Sequence, residues 1–471
     1  MSAWICAACM SLALPALAQS LDQANRPAKG VPQLLKEANE AYAEKNFQAY
    51  RAALQALHRQ RPYNSEYMYQ LVLAHALLDE KRAAYNVMLQ MQRQGLSYDF
   101  DQAPETKNLR QTQLYQYLNG LMVEAGQPVG AAEPVASLDG SARLPEAIAW
   151  DPQRERFLVG TVADGLILAV NTDGSSEELL RADDRNGIWG IHGLAVDAAR
   201  NRLWASSAAH PGFSGFDPVD QGRSVLLEFQ LDNLELLRRH PVPVDGRPHL
   251  LGKIAVADSG DVYVADTLLP IIYVKPADAE SLRPYFASQS LVSLRGLALS
   301  DDGSKLYAAD AEMGIVVVDV KQGTPYNLEA PETLNLGGIE GLEFWQGHLV
   351  IVQNGIRPQR LLRLELDPDG LAVSAIAPLA VGLDIMDMPT HGVAVGDEFN
   401  FFANSHWGQR QDQPVTIAKT SLDDVAQIVD PEAQRLFEQY EQAKQRGDVR
   451  PMAPQQSEAK EQDEEPPGDS G

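Results

Sequence analysis

The sequence predicts an all-β six-bladed propeller preceded by a small all-α helical-repeat domain. Two observations predict the propeller. A short phrase recurs six times after residue 145, and each recurrence is followed by further short apolar runs. The phrase reads Glu146-Ala147-Ile148-Ala149-Trp150, His192-Gly193-Leu194-Ala195-Val196 and Gly252-Lys253-Ile254-Ala255-Val256. It returns as Arg295-Gly296-Leu297-Ala298-Leu299, Glu340-Gly341-Leu342-Glu343-Phe344 and His391-Gly392-Val393-Ala394-Val395. Its first residues stand 46, 60, 43, 45 and 51 positions apart. A period of about 45 residues built from short strands is that of one propeller blade per repeat. The helical part rests on a third observation, a change to helical periodicity between Val31 and about Met122.

Taken in order, the chain opens on Met1 to Gln19, with an apolar stretch from Trp4 to Leu17 and a small-x-small end at Ala16-Leu17-Ala18. That is the pattern of a secretory signal peptide, residues 1–18, cleaved after Ala18, although no Lys or Arg precedes the apolar run. It predicts an exported protein, periplasmic or secreted. Both cysteines, Cys6 and Cys9, lie in this leader. The mature chain then has no disulfide, catalytic thiol or thiolate metal site. Residues 19–30 are a polar lead-in.

Over residues 31–123, Leu34, Leu35, Ala38, Ala41 and Tyr42 share a helical face, followed by Tyr50, Ala53, Leu54 and Leu57, with Pro62 as a stop. A second unit opens at Ser65 with Met68, Leu71, Val72 and His75, then Ala84, Met88 and Met91. Leu34, Leu54, Leu57 and Pro62, shifted by 34 residues, fall on Met68, Met88 and Met91 without the proline. This resembles one and a half to two degenerate tetratricopeptide units, with Leu109 to Val123 as a final helix. The resemblance implies a groove for a protein or peptide partner. A helical bundle packed on the propeller fits the same pattern.

Residues 124–132 are a Gly/Pro/Ala linker into the propeller, residues 133–425. After each phrase comes a second apolar run (for example Phe157 to Thr161 and Leu203 to Ser207) and a third (Leu166 to Val170, Val225 to Phe229). Asp-Gly and Pro-Asp turns bound them, as half-buried antiparallel strands require. A fourth, weaker strand occurs in most repeats, but the last lacks one. Glu133 to Leu138 is placed to supply it and close the ring, which removes an open edge. Residues 426–471 hold a short polar helix, Pro431 to Gln445, and an acidic tail too polar to fold alone.

At 471 residues, 45% of them hydrophobic and 22% charged, the chain can bury more than one core. A net charge of −25 argues against nucleic acid or anionic lipid as partners. After the leader no uninterrupted apolar run approaches a membrane span.

The innermost strand of each blade lines the central channel, so the phrase-opening residues form a ring: Glu146, His192, Gly252, Arg295, Glu340 and His391. Ionisable groups converging from separate blades are candidates for metal or substrate binding. Glu and His are ordinary ligands of a divalent cation. Alternatively, His192 or His391 acts as general base while Arg295 holds a carboxylate or oxyanion. A third reading has Arg295 neutralise Glu146 and Glu340 in a structural network. The candidate catalytic residues are therefore Glu146, His192 and His391. The candidate substrate contacts are Arg295, Glu340 and Asn404, the last among the second-strand ends with Asp266, Asp310, Gln353 and Asn354. The insert Gly212 to Gly222, which holds Phe213 and Phe216 with His210 just before it, is placed to form a lid or a surface loop.

Leu144-Pro145-Glu146-Ala147-Ile148-Ala149-Trp150-Asp151 resembles the opening of the gluconolactonase and regucalcin-like family of six-bladed propellers. Gly260-Asp261-Val262-Tyr263-Val264-Ala265-Asp266-Thr267 and Asp302-Gly303-Ser304-Lys305-Leu306-Tyr307-Ala308-Ala309-Asp310 resemble its blade strands. The likeness spans about residues 140–425 and is shared with other six-bladed propeller families. It implies one divalent cation, calcium or zinc, held through Glu146, with Asn or Asp at later phrase openings, where this chain has His192, Gly252 and Arg295. His192-Gly193-Leu194 is similar to a His-Gly-Ile phrase of paraoxonases, which implies lactone hydrolysis, and His391-Gly392-Val393 matches it equally. The expected function is an exported binding or scaffold protein, with a ligand site at the channel mouth and a partner for the helices. A lactone or ester hydrolase is the alternative.

Overall fold

The computed structural model describes residues 29–140, 142–183, 186–407, 413–423 and 446. The signal peptide and the C-terminal helix and tail expected from the sequence lie outside them. The chain divides into two compact units, Met1–Gln60 and Arg61–Gly471.

In the first unit, helices α1 (Val31–Ala43) and α2 (Phe47–Gln60) pack on each other. They bury Leu34, Ala38 and Ala41 on one and Tyr50, Ala53, Leu54 and Leu57 on the other, whereas Leu35 and Tyr42, read onto the same face, are exposed. α2 ends two residues before Pro62, whose ring disfavours helical backbone in the residue ahead of it.

The second unit opens with α3 (Ser65–Leu77), α4 (Lys81–Arg93) and α5 (Gln113–Glu124). Asn64 caps α3 by accepting the Tyr67 N–H at 3.1 Å, and Thr112 caps α5 by accepting the Tyr115 N–H at 3.2 Å. Met68, Met88, Met91, Phe100 and Met122 form one core with Ile356 of the propeller. A buried polar lock joins the same surfaces. Arg360 donates to the Gln94 carbonyl at 3.0 Å and to Gln353 Oε1 at 2.8 Å, while Asn335 Nδ2 donates to Gln94 Oε1 at 2.9 Å. The sequence placed one helical domain over residues 31–123. In the structure its second half shares a core with the propeller, because its methionines meet propeller side chains.

The propeller has six antiparallel sheets. Their innermost strands are Pro145–Asp151, Gly190–Asp197, Leu251–Val256, Leu294–Leu299, Ile339–Trp345 and Gly392–Val395, which define blades 1 to 6. Glu133–Leu138 pairs antiparallel with Val415–Ser421 as the fourth strand of blade 6, in the register Leu138↔Val415 and Glu133↔Lys419. The ring is thus closed by joining its two ends, as the sequence implied. The stretch read as a linker does more than connect. Val129–Gly130 adds a fifth strand to blade 5, pairing with Val381 and Ala380. A Cβ on Gly130 would fall 1.9 Å from the Leu379 carbonyl oxygen, so only glycine allows this approach. No helix among the described residues is long and apolar enough to cross a membrane.

Candidate functional site

The ring residues reach the channel through a recurring backbone irregularity. In blades 1, 2, 4 and 5 the ladder between the first two strands skips one residue: Glu146, His192, Arg295 and Glu340. A bulge of this kind turns the extra side chain out of the pleat. His391 directly precedes the paired Gly392 of blade 6. The following position must be small. A Cβ on Gly193 would meet the Gly252 carbonyl oxygen at 2.1 Å, and one on Gly296 would meet Leu342 Cβ at 2.4 Å.

Blade 3 breaks this pattern. There Gly252 and Lys253 together face Ala265, and a Cβ on Gly252 would lie 2.8 Å from Thr267 Oγ1. The glycine comes first in this blade, and Lys253 supplies the cavity-lining side chain.

These side chains line a cavity of about 590 Å³ with Glu146, His192, Lys253, Arg295, Glu340 and His391 at its wall. His210 and Trp407 complete the rim. The insert read as a lid or a surface loop lies against blade 1, where Ser214 N donates to the Ala163 carbonyl at 2.7 Å. It brings His210 to the cavity, edge-on to both His192 and Trp407, but leaves Phe213 and Phe216 out of the lining.

Glu146 is the centre of the polar contacts. Its Oε2 accepts the Trp407 indole N–H at 2.5 Å, and its Oε1 stands 3.5 Å from His391 Nε2. Burial favours the neutral acid, but the His391 and Trp407 donors outweigh it and hold the carboxyl below its usual range. Burial lowers the His391 imidazole, with the Lys253 charge adding to the effect and Glu146 opposing it. Burial also lowers His192, to about 4, so it is neutral near pH 7. Burial pushes Glu340 up to about 7, against the Arg295 guanidinium that contacts it at 3.3 Å. Four atoms at this site are buried without a hydrogen-bond partner among the described residues: His192 Nε2, Arg295 Nε, Thr390 Oγ1 and His391 Nδ1. Orphaned donors and acceptors in a polar cavity are what a ligand or water satisfies.

The donor atoms of Glu146, Glu340 and His391 all lie within 4.8 Å of one another. Two carboxylates and an imidazole suit a divalent cation. The imidazole favours zinc or a similar first-row ion over calcium, which prefers oxygen alone.

The structure therefore brings Glu146, His192, Arg295, Glu340 and His391 together. It does not bring Asn404. That side chain accepts the Thr416 N–H at 2.8 Å and donates to the Pro414 carbonyl at 3.0 Å, so both its polar atoms are spent within blade 6. Asp266 and Asp310 are likewise taken up by backbone amides of their own blades, at Leu250 and Leu268 and at Val292 and Ser293. Sequence reasoning missed Lys253, Glu343 and Trp407, and named His210 only with the insert. Glu343 holds the fourth phrase position, where the other five repeats have alanine, and burial pushes it up to about 7, against the Lys253 charge. Comparing phrase positions one by one would have exposed both Lys253 and Glu343. Trp407 and His210 arrive on loops outside the repeat and leave no such signal.

The chain matches no family model and no curated protein sequence. Among solved structures it is similar to a luciferin-regenerating enzyme (13% identity, 64% of this chain and 97% of the other, TM-score 0.46). It is also similar to a PQQ-bound aldose sugar dehydrogenase from Streptomyces coelicolor (15%, 63% and 99%, TM-score 0.43). A third similar structure is a gluconolactonase from Xanthomonas campestris (15%, 64% and 99%, TM-score 0.40). Likeness at this level carries nothing about chemistry, and the six-bladed propeller is read from the chain's own sheets.

Proposed function

We propose that the channel mouth is a hydrolytic site for lactones or esters that works with a divalent cation held by Glu146, Glu340 and His391. The observation that supports it most is the approach of those three donors to within 4.8 Å at the wall of a polar cavity. When bound, the cation supplies Lewis acidity to a carbonyl. The remaining roles fall to the chain itself. His192 keeps a free, buried Nε2 and stays neutral down to about pH 4, so it can accept a proton from attacking water. Arg295 holds Glu340 in place and offers further N–H donors to ligand oxygen. His210 and Trp407 restrict solvent at the rim. Trp407 must release Glu146 Oε2 for that oxygen to reach a ligand.

The test is turnover of γ- and δ-lactones and aryl esters by the full chain with added zinc, manganese or calcium. Loss of at least about a hundredfold in Glu146→Ala and His391→Ala is the expected result. No turnover in any condition, or turnover untouched by both substitutions, refutes the reading.

One observation favours a second reading, a non-catalytic binding protein. Both carboxylates already have partners within the chain, Glu146 with Trp407 and Glu340 with Arg295. In that reading the cavity binds a small molecule unchanged and the N-terminal helices engage a protein partner. Saturable ligand binding without turnover, insensitive to chelator, separates it from the first.

A further inference from the structure

The cavity's cationic groups are arranged in a way that hydrolysis does not account for. Lys253 and Arg295 enter from adjacent blades, 3 and 4. Five of the six repeats carry Gly or Ala where blade 3 carries Lys253. Enclosing an ammonium is costly unless it is paired. Among the described residues, however, the Lys253 ammonium makes no ion pair or hydrogen bond, and Glu343 is only its strongest electrostatic neighbour. Arg295 spends one nitrogen on Glu340 and leaves a buried Nε unpartnered. The cavity is also lined by Ser293, which enters blade 4, and Thr267, which follows the second strand of blade 3 and accepts the Ser293 hydroxyl at its carbonyl at 2.9 Å. In a chain of net charge −25, two incompletely paired cations lining one cavity from adjacent blades are a selective feature.

We propose that the ligand of this cavity carries a carboxylate, seated between Lys253 and Arg295. Resting on the hydrolase reading, this makes the substrate a carboxylate-bearing lactone or ester, with the reacting carbonyl towards Glu146 and His391. The carboxylate completes the hydrogen bonding of the ammonium and guanidinium with charge-assisted bonds, where a neutral sugar lactone offers only neutral acceptors. Charge-assisted bonds of this kind are stronger than neutral ones and give geometric specificity.

The experiment compares a γ-butyrolactone bearing one ring carboxylate with the same lactone bearing a primary amide there. Both are measured for hydrolysis and, by calorimetry, for binding to the full chain. The expected preference for the carboxylate is about tenfold to a hundredfold, the range for one or two charge-assisted hydrogen bonds. Lys253→Met is expected to bring the preference close to unity and Lys253→Arg to retain it, with circular dichroism as the folding control. Equal handling of the two lactones by the unmodified protein overturns the proposal without needing any variant. A preference that survives Lys253→Met overturns it as well. If neither lactone is hydrolysed, the hydrolase reading fails, and the calorimetric preference alone still decides whether the carboxylate seat exists.

Discussion

His192 makes the site's electrostatics measurable as stability. Its side chain is 5% exposed and its proton affinity is lowered from 6.5 to about 4, chiefly by burial. In the unfolded chain it binds a proton near pH 6.5, and in the folded chain only near pH 4. Between those values the unfolded state holds more protons, so stability rises with pH and falls on acidification. The gap is worth about 3 kcal/mol, with most of the loss complete by pH 4.5 and none added below about pH 4. His192→Asn removes the titration and adds a packing cost that does not depend on pH. Urea unfolding of both proteins at intervals from pH 7.5 to 4.5 isolates the effect, since groups outside the His192, Glu146, His210 and His391 cluster titrate alike in the two. The variant is expected to be the less stable at pH 7.5 and to gain on the wild type by about 2 to 3 kcal/mol at pH 4.5. A difference that stays constant across the range would refute the claim that His192 is buried and neutral, and with it the proton-accepting role.

Three further perturbations probe the site and the helix–propeller lock. Gly193→Ala puts a Cβ 2.1 Å from the Gly252 carbonyl oxygen and should cost about 1 to 3 kcal/mol in denaturant unfolding, whereas Ala147→Gly, at the same place in blade 1, should cost less. Arg360→Met leaves the Gln94 carbonyl and Gln353 Oε1 without their donor and should destabilise by about 3 kcal/mol in the same assay. Zinc should change the protein's tryptophan emission by displacing the Trp407 indole from Glu146. That change should vanish in Trp407→Phe and in Glu146→Gln; persistence in both would place the metal elsewhere.

The propeller was legible because its blades repeat a local pattern. Each phrase opens the innermost strand of a blade, so its first residue, Glu146 or Arg295 for instance, could be assigned to the channel without coordinates. Closure by Glu133–Leu138 was legible for a related reason: the last repeat lacked a strand, and an unpaired edge is costly. The errors arose where the pattern shifts or ends. Blade 3 places its small residue first, so counting by register pointed to Gly252 and passed over Lys253. Asn404 sits at a strand end that faces backbone amides, where an Asn serves the turn before it serves a ligand. Trp407 reaches Glu146 across 261 residues of sequence, a contact set by ring closure and two loops, with nothing local to announce it. The helices divided at Gln60 because Met68, Met88 and Met91 pack with Ile356, a partner no helical period can reveal.

The account rests on Glu146, Glu340 and His391 acting as one cation site, and the most direct measurement is elemental analysis of the purified full chain beside Glu146→Ala and His391→Ala. One equivalent of zinc or another first-row divalent ion in the wild type, lost in both variants while their circular dichroism is unchanged, is the predicted result. A metal-free wild type whose thermal unfolding is unmoved by zinc, manganese, calcium or chelator would contradict it.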